Sequence, residues 1–99
     1  MKKILIAGKN KEITETVKRL LSTYADIESI SAHSKEEVAQ QLHDAIWHLL
    51  LICGGFNAVE ERELTTLKNE LAPDMKVQKH YGGGSGLLLS ELNEVFRDE

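Results

Sequence analysis

The sequence predicts an α/β protein in which a parallel sheet lies between two layers of helices. Short apolar segments alternate with amphipathic segments, turn residues separate them, and the resulting order is βαβαβαβα. Strands that alternate with helices in this way pair in parallel through crossover helices. Because such crossovers are right-handed, we expect a doubly wound, three-layer sandwich with four strands in the order 2-1-3-4.

The two most apolar segments are predicted to be the central strands of this sheet. Residues 3–7 are apolar after the first lysine and end at Gly8, and residues 47–53 are the most apolar run and end at Gly54. An apolar segment bounded by turn residues is typical of a strand buried on both faces. Strands 1 and 3 of the chain therefore belong at the centre of the sheet.

The other two predicted strands are more polar. Residues 26–32 contain only two large apolar side chains, and they do not alternate cleanly. In residues 75–81, Met75, Val77 and Tyr81 alternate with polar residues. Polar side chains are common on strands at the edge of a sheet. The composition of strands 2 and 4 thus agrees with the edge positions that the topology assigns to them.

Apolar residues that recur every three or four positions predict the four helices. These stripes are Ile13, Val17, Leu20, Leu21 and Tyr24; Val38, Leu42, Ala45 and Ile46; Leu64, Leu67 and Leu71; and Leu88, Leu92, Val95 and Phe96.

Helix ends are predicted from residues that cap free backbone amides. Asn10 precedes the first stripe, Ser34 with Glu37 forms a capping box before the second, and Asn57 with Glu60 precedes the third. We expect the third helix to stop near Ala72, because a proline follows it and disfavours helical geometry in its predecessor.

Length and composition restrict the class of protein. The 99 residues predict a single domain, 1–99, and 41% hydrophobic with 28% charged residues is ordinary for a globular protein. A net charge of −4 argues against nucleic acid or an anionic membrane as the main partner. No apolar run is long enough to cross a bilayer, and the apolar segment after Met1 is too short for a signal peptide. The single cysteine, Cys53, excludes an internal disulfide and favours a cytoplasmic location.

Glycine-bearing loops follow three of the strands and predict where a ligand would lie. In an open parallel sheet, ligands bind at the carboxyl ends of the strands, where the strand order reverses, here between strands 1 and 3. Glycines allow close approach of the backbone, and helix N-termini favour a phosphate or carboxylate. The predicted ligand-binding residues are Gly8, Lys9 and Asn10; Gly54 and Gly55; and His80, Tyr81, Gly82, Gly83, Gly84 and Ser85. The alternative is that these glycines serve only the strand-to-helix turns.

No established catalytic or metal motif is present in the sequence. The Walker-type phosphate loop and the dinucleotide fingerprint are both missing. The four histidines are too scattered for metal-ligand spacing, and we expect no metal. Cys53 ends a buried strand beside the predicted site and is a candidate nucleophile, although a lone cysteine in an apolar run is usually a core residue. No particular cofactor is indicated.

At two strands the chain resembles the receiver domains of response regulators, which have a flavodoxin-like fold. Residues 2–6 (KKILI) resemble the first strand of a receiver, and residues 48–52 (HLLLI) resemble the third. The functional positions differ: Gly8-Lys9 replaces the acidic pair that holds magnesium, Cys53-Gly54 replaces the phosphoacceptor aspartate, Tyr81-Gly82 replaces the hydroxyl residue, and the fifth strand with its lysine is missing. The resemblance therefore implies a shared fold without aspartyl phosphorylation.

A second resemblance is to the IIB domains of the lactose/cellobiose type in the sugar phosphotransferase system. These domains are similar in length, have a four-stranded parallel sheet and carry a phosphocysteine just after strand 1. Here Ala7-Gly8-Lys9 contains no cysteine. This resemblance also extends to the fold and not to the phosphotransfer chemistry.

Three functions remain open from the sequence. The first is a non-enzymatic regulatory or interaction domain of receiver-like architecture, for which two exposed sheet edges favour a homodimer. The second is a binding protein for a small anionic ligand, a nucleotide or phosphorylated metabolite, at the glycine loops. The third, an enzyme that uses Cys53 or His80, ranks last.

Overall fold

The structure is a computed structural model that describes residues 2–80. The described elements are β1 (Lys2–Ala7), α1 (Lys11–Leu21), β2 (Ile27–Ala32), α2 (Lys35–Asp44), β3 (Leu49–Ile52), α3 (Ala58–Leu71) and β4 (Lys76–Lys79). The fourth predicted helix, with Leu88, Leu92, Val95 and Phe96, lies outside the described residues. The same is true of Tyr81, Gly82, Gly83, Gly84 and Ser85 of the predicted site.

The four strands form one parallel sheet in the order β2-β1-β3-β4, as the sequence predicts. On β1, Leu5 lies opposite Ile30 of β2 and Leu50 of β3. Each connection between described strands contains one helix. The α/β class and the 2-1-3-4 order are thus confirmed, and they are consistent with a flavodoxin-like fold.

The two central strands bury both of their faces, which explains their apolar sequences. Ile4 and Ile6 belong to a core cluster with Val17 and Leu21 of α1. Leu5 belongs to the core cluster on the opposite face of the sheet. That second cluster also contains Val38 and Leu42 of α2, Leu64 of α3, and Leu50 and Ile52 of β3. Adjacent residues of one strand therefore contribute to different cores, so no position from Ile4 to Ala7 of β1, or on β3, tolerates a polar side chain without cost.

Local capping residues begin all three described helices. The Asn10 side chain accepts hydrogen bonds from the amides of Glu12 and Ile13 at the start of α1. At α3, the Asn57 side chain accepts from the Glu60 amide at 2.8 Å, and the Glu60 carboxylate accepts from the Asn57 amide at 3.0 Å, which completes a capping box.

The start of α2 differs from the predicted capping box. Ser34 accepts the Glu37 amide at 3.2 Å, as expected. The Glu37 carboxylate, however, accepts the backbone N–H of His33 rather than that of Ser34. The carboxylate thus reaches one residue further back than in a capping box, while Ser34 has the extended backbone usual for an N-cap, with φ −148° and ψ 163°.

The region between α2 and β3 also departs from the predictions. Helix α2 ends at Asp44, Ala45 is extended, and the Ile46 side chain is 85% exposed rather than part of the apolar stripe. Strand β3 begins at Leu49 instead of residue 47. The reason lies in His48, whose ring Nδ1 accepts the Lys3 amide at 2.9 Å in place of a strand carbonyl.

The Trp47 side chain before β3 packs in the core, and α3 ends where its sequence predicts. Trp47 lies at the end of the sheet opposite the glycine loops and is buried, and its indole Nε1 donates a hydrogen bond to the Gln41 carbonyl. Helix α3 ends at Leu71, one residue before Ala72 and two before the proline. None of the described helices is long and apolar enough to cross a membrane.

Candidate functional site at the carboxyl edge of the sheet

The β1–α1 and β3–α3 loops meet at the carboxyl edge of the sheet, where the sequence places the site. Gly55 is so close to Lys9 that a Cβ atom built on the glycine would lie 3.0 Å from the lysine Cβ. Gly8, Lys9, Asn10, Gly54 and Gly55 therefore lie in two adjoining loops. Whether they bind a ligand remains a prediction.

Backbone conformation requires a glycine at position 55, and close packing requires one at position 8. Gly55 has a φ of 106°, a backbone conformation that residues with a Cβ rarely adopt. Gly8 is buried under close neighbours, and a Cβ there would lie 2.7 Å from Cγ2 of Thr14 and 3.2 Å from Cβ of Cys53. A Cβ on Gly54 would meet no atom within 4 Å. Two of the three glycines are thus required by the turns and the packing of the edge itself.

The Lys9 ammonium forms an ion pair with Glu60 of α3. It also lies 5.7 Å from the centre of the Phe56 ring, within the range of a cation–π interaction. The lysine predicted to attract an anion is therefore already paired with a carboxylate. Sequence reasoning identified Glu60 only as a capping residue, because nothing in its local sequence connects it to the loop after β1.

The Lys9 contact changes the acidity of Glu60. Hydrogen bonding from Lys9 is the largest cause of a pKa below the usual glutamate value, followed by the hydrogen bond from the Asn57 amide. The positive charge of Lys9 adds to this effect, while partial burial acts against it. The carboxylate is thus held in its charged form by two separate donors.

A cleft of about 390 Å³ opens beside this ion pair, between the first turns of α2 and α3. Its lining residues are Lys9, Ser34, Lys35, Glu36, Phe56, Glu60, Glu63 and Leu64. Two lysines and three glutamates give this wall one net negative charge. Lys35 is itself paired with Glu63 at 3.1 Å. The cleft is therefore polar, but its charge does not favour an anion.

The helix caps already bond one or two of the backbone amides that could bind an anion at each helix start. Asn10 accepts two amides of α1, Ser34 accepts one of α2 and Asn57 accepts one of α3. An anion at any of these helix starts would compete with an existing acceptor. The helix dipoles remain, but their nearest donors are already bonded.

His80, the last described residue of the predicted site, is buried at the end of β4. Its backbone N–H donates to the carbonyl of Ile52 and extends the pairing with β3. His80 is thus next to the end of β3, as expected for this edge, but it does not line the described cleft.

A contact between Thr14, His33 and Glu37 at the same edge was not predicted. The Thr14 hydroxyl donates to the Lys11 carbonyl at 3.0 Å and lies 3.1 Å from His33 Nε2. On the other side of the ring, His33 Nδ1 lies 3.7 Å from the Glu37 carboxylate. Because Thr14 is completely buried, its hydroxyl is not accessible to a substrate, and the three residues connect α1, β2 and α2.

The described residues provide no other candidate for catalysis or metal binding. Cys53 is not part of a disulfide, has no exposed surface and belongs to the core under α1. Within residues 2–80, no three His, Cys, Asp or Glu side chains are grouped so that they could hold a metal ion.

Comparison of the chain with protein-family models, with curated proteins and with solved structures gave no match. The function is therefore inferred from the geometry of this edge.

Proposed function

We propose that this protein is a non-enzymatic regulatory or interaction domain of receiver-like architecture that lacks phosphorylation chemistry. The observation that carries the proposal is the ion pair between Lys9 and Glu60. By the resemblance to receivers, Lys9 stands where the acidic pair would hold magnesium. An ammonium group at this place repels a divalent cation, which requires carboxylate and carbonyl oxygens.

The ion pair also supports a structural role for the edge. Lys9 links the loop after β1 to the first turn of α3 and packs on Phe56 of the intervening loop. A loop held by its own protein's charges does not require a ligand for order. Such a domain would then act through the binding of partners to its surface.

A direct test is to add Mg²⁺ with beryllofluoride, a mimic of the phosphoryl group, and to record amide NMR spectra. We expect the signals of residues 8–10 and 53–57 to stay unchanged, because no carboxylate pair and no aspartate phosphoacceptor is available there. Mg²⁺-dependent shifts confined to these loops would contradict the proposal.

Binding of a small anion in the cleft is the second candidate. It is favoured by one observation, that Lys9, Lys35 and the Ser34 hydroxyl all line the same 390 Å³ space. An anion would have to replace Glu60 or Glu63 as the partner of a lysine. Glu60→Gln removes one competitor and should therefore strengthen anion binding if this candidate is correct.

Thermal unfolding separates the two candidates. Inorganic phosphate, nucleotides and sugar phosphates are added to the unmodified protein, to Glu60→Gln and to Lys9→Ala as the control. A ligand at 100 times its Kd stabilises the folded state by about 2.7 kcal/mol. Under our proposal, we expect none of these compounds to change the unfolding temperature of the protein to which it is added. A shift that grows in Glu60→Gln and disappears in Lys9→Ala would instead support the anion site.

A further inference from the structure

The two edge strands of the sheet differ in how they are protected against pairing. Strand β4 has four residues, and two of them are the lysines Lys76 and Lys79. Strand β2 has six residues, IESISA, with Glu28 as its only charge and no proline. Charges, prolines and shortness are the features by which proteins prevent edge strands from pairing with another chain. β2 lacks most of these features.

The outer side of β2 carries backbone groups suited to a further strand. The carbonyls of Asp26 and Ala32 accept bonds from β1, so the even-numbered residues of β2 face β1. Because backbone direction alternates along a strand, the amides and carbonyls of Ser29 and Ser31 face away from it. Within the described residues, β1 is the only strand that pairs with β2.

Helix α1 packs against β2 and β1 and has a charge pattern that complements itself. Its first half carries the exposed residues Lys11, Glu12 and Glu15, with a net charge of −1, and its second half carries the exposed bases Lys18 and Arg19, with a net charge of +2. If two copies of α1 lie antiparallel, the acidic half of each faces the basic half of the other. A helix above the junction of β1 and β2 would lie about 10 Å from its twin across a shared edge, at about 4.8 Å per strand. Opposing long side chains can meet across that distance.

We propose that a second copy of this chain pairs with β2 in antiparallel orientation, which joins the two sheets into one sheet of eight strands. This inference depends on the proposed function, because it names the partner of the interaction domain. A twofold axis at Ile30 places Ser29 of each copy opposite Ser31 of the other, in hydrogen-bonded positions. Glu28 then lies opposite Ala32 of the second copy, so no like charges face each other along the strand.

The first experiment measures self-association of the full chain by sedimentation equilibrium. We expect the unmodified protein to form a dimer. Reversing the basic half (Lys18→Glu with Arg19→Glu) or the acidic half (Glu12→Lys with Glu15→Lys) should raise the dimer Kd at least about tenfold, because like charges then face each other. Arg62→Glu on α3 is the control for a charge change away from this edge and should leave the Kd unchanged.

Mixing the two reversed proteins provides the sharper test. Counting Lys11, α1 then has a net charge of −3 in one protein and +5 in the other, so the two helices attract each other. We expect this heterodimer to be tighter than either reversed homodimer. Each reversed protein should bind the unmodified chain with intermediate affinity, because one half of α1 then meets an opposite charge and the other half a like charge. Failure of the mixture to associate would overturn the antiparallel contact of α1.

A second variant tests the strand contact without changing a charge. Ser29→Pro removes an outward amide of β2, and Lys79→Pro removes the corresponding outward amide of β4 as a control. Circular dichroism establishes that each variant is folded before its mass is measured. We expect only Ser29→Pro to be monomeric. Loss of the dimer in the β4 variant alone would assign the interface to the other edge.

These outcomes separate the inference from the proposed function. A protein that stays monomeric up to its solubility limit overturns pairing with a second copy, but leaves the phosphomimic and anion tests unaffected. Conversely, Mg²⁺-dependent shifts in the loops would overturn the proposed function while the dimer persists. A dimer that is unaffected by changes on both α1 and β2 would contradict this interface.

Discussion

At the turn after β3, Gly55 combines a φ of 106° with a close approach to the loop after β1. An L-residue at this φ is strained, and its Cβ would also press on Lys9 at 3.0 Å. The adjacent Gly54 has neither feature, since its Cβ would point into open space. Two neighbouring glycines in one turn therefore offer a matched comparison.

We expect Gly55→Ala to lower the free energy of unfolding by about 1–3 kcal/mol, because of the unfavourable φ and the contact with Lys9. Gly54→Ala should have little effect or stabilise the protein by up to about 1 kcal/mol, since alanine restricts the unfolded chain. Urea unfolding followed by circular dichroism measures both. Equal losses in the two variants would show that the strain at Gly55 is not the cause.

The Lys9–Glu60 pair makes a pH-dependent contribution to stability. The pKa of Glu60 is lower in the folded protein than its ordinary value of 4.5, first through the Lys9 hydrogen bond. A group whose pKa is lowered on folding stabilises the protein above its unfolded pKa. This contribution is lost as the pH falls through the folded pKa.

We therefore expect the stability difference between the unmodified protein and Glu60→Gln to be largest above about pH 5 and to shrink on acidification. In Lys9→Met the pKa of Glu60 should rise toward its ordinary value. It should stay somewhat low, because the Asn57 amide remains a donor. Carboxyl NMR titration of Glu60 gives both pKa values. An unchanged pKa in Lys9→Met would mean that the ion pair does not form in solution.

Among the elements, α3 depends most clearly on its cap. The Asn57 side chain and the Glu60 carboxylate form a reciprocal pair of hydrogen bonds at its first turn. These bonds satisfy backbone amides that have no partner within the helix. Glu60 also contacts Lys9, so the start of α3 and the loop after β1 share one carboxylate.

Asn57→Ala should destabilise the protein by about 1 kcal/mol, because the Glu60 amide loses its acceptor. The exposed Thr66, in the middle of the same helix, supplies the control. Thr66→Ala should cause no loss, since alanine has the higher helix propensity. Thermal or urea unfolding measures both variants. A loss as large in Thr66→Ala would mean that truncation of any α3 side chain destabilises the protein, and the loss in Asn57→Ala could not be assigned to the cap.

At the scale of the whole molecule, the two central strands contribute side chains to both hydrophobic cores. Cys53 at the end of β3 is completely buried in the core that contains Val17 and Leu21. Because strands β1 and β3 contribute to both cores, opening of one core disturbs the other. A reagent can reach the Cys53 thiol only when this packing opens.

We expect Cys53 to resist alkylation at neutral pH in the folded protein and to react at the rate of global opening. Addition of denaturant should bring its reactivity to that of a free thiol. Stopped-flow measurement with a chromogenic thiol reagent follows the reaction. Rapid, stoichiometric labelling without denaturant would revive the hypothesis of a nucleophilic cysteine.

The strand order and the helix starts follow from the sequence alone. Apolar runs identified β1 and β3 as buried on both faces, and right-handed crossovers then allow only a few arrangements. Asn10, Ser34 and Asn57 were recognisable as caps because a cap interacts with amides two or three residues away. The glycine loops were also expected on one edge, since all strands run in the same direction.

Long-range pairs could be decided only by the tertiary structure. The sequence offers several glutamates as possible partners of Lys9. The contact with Glu60 forms because the loop after β1 and the start of α3 meet at the carboxyl edge of the sheet. The contact between Thr14 and His33 has no local pattern for the same reason. Local periodicity likewise placed Ile46 on the buried stripe of α2, but the helix stops at Asp44 and turns that side chain outward. Short-range patterns determine elements and their order, whereas side-chain partners depend on distances that exist only after packing.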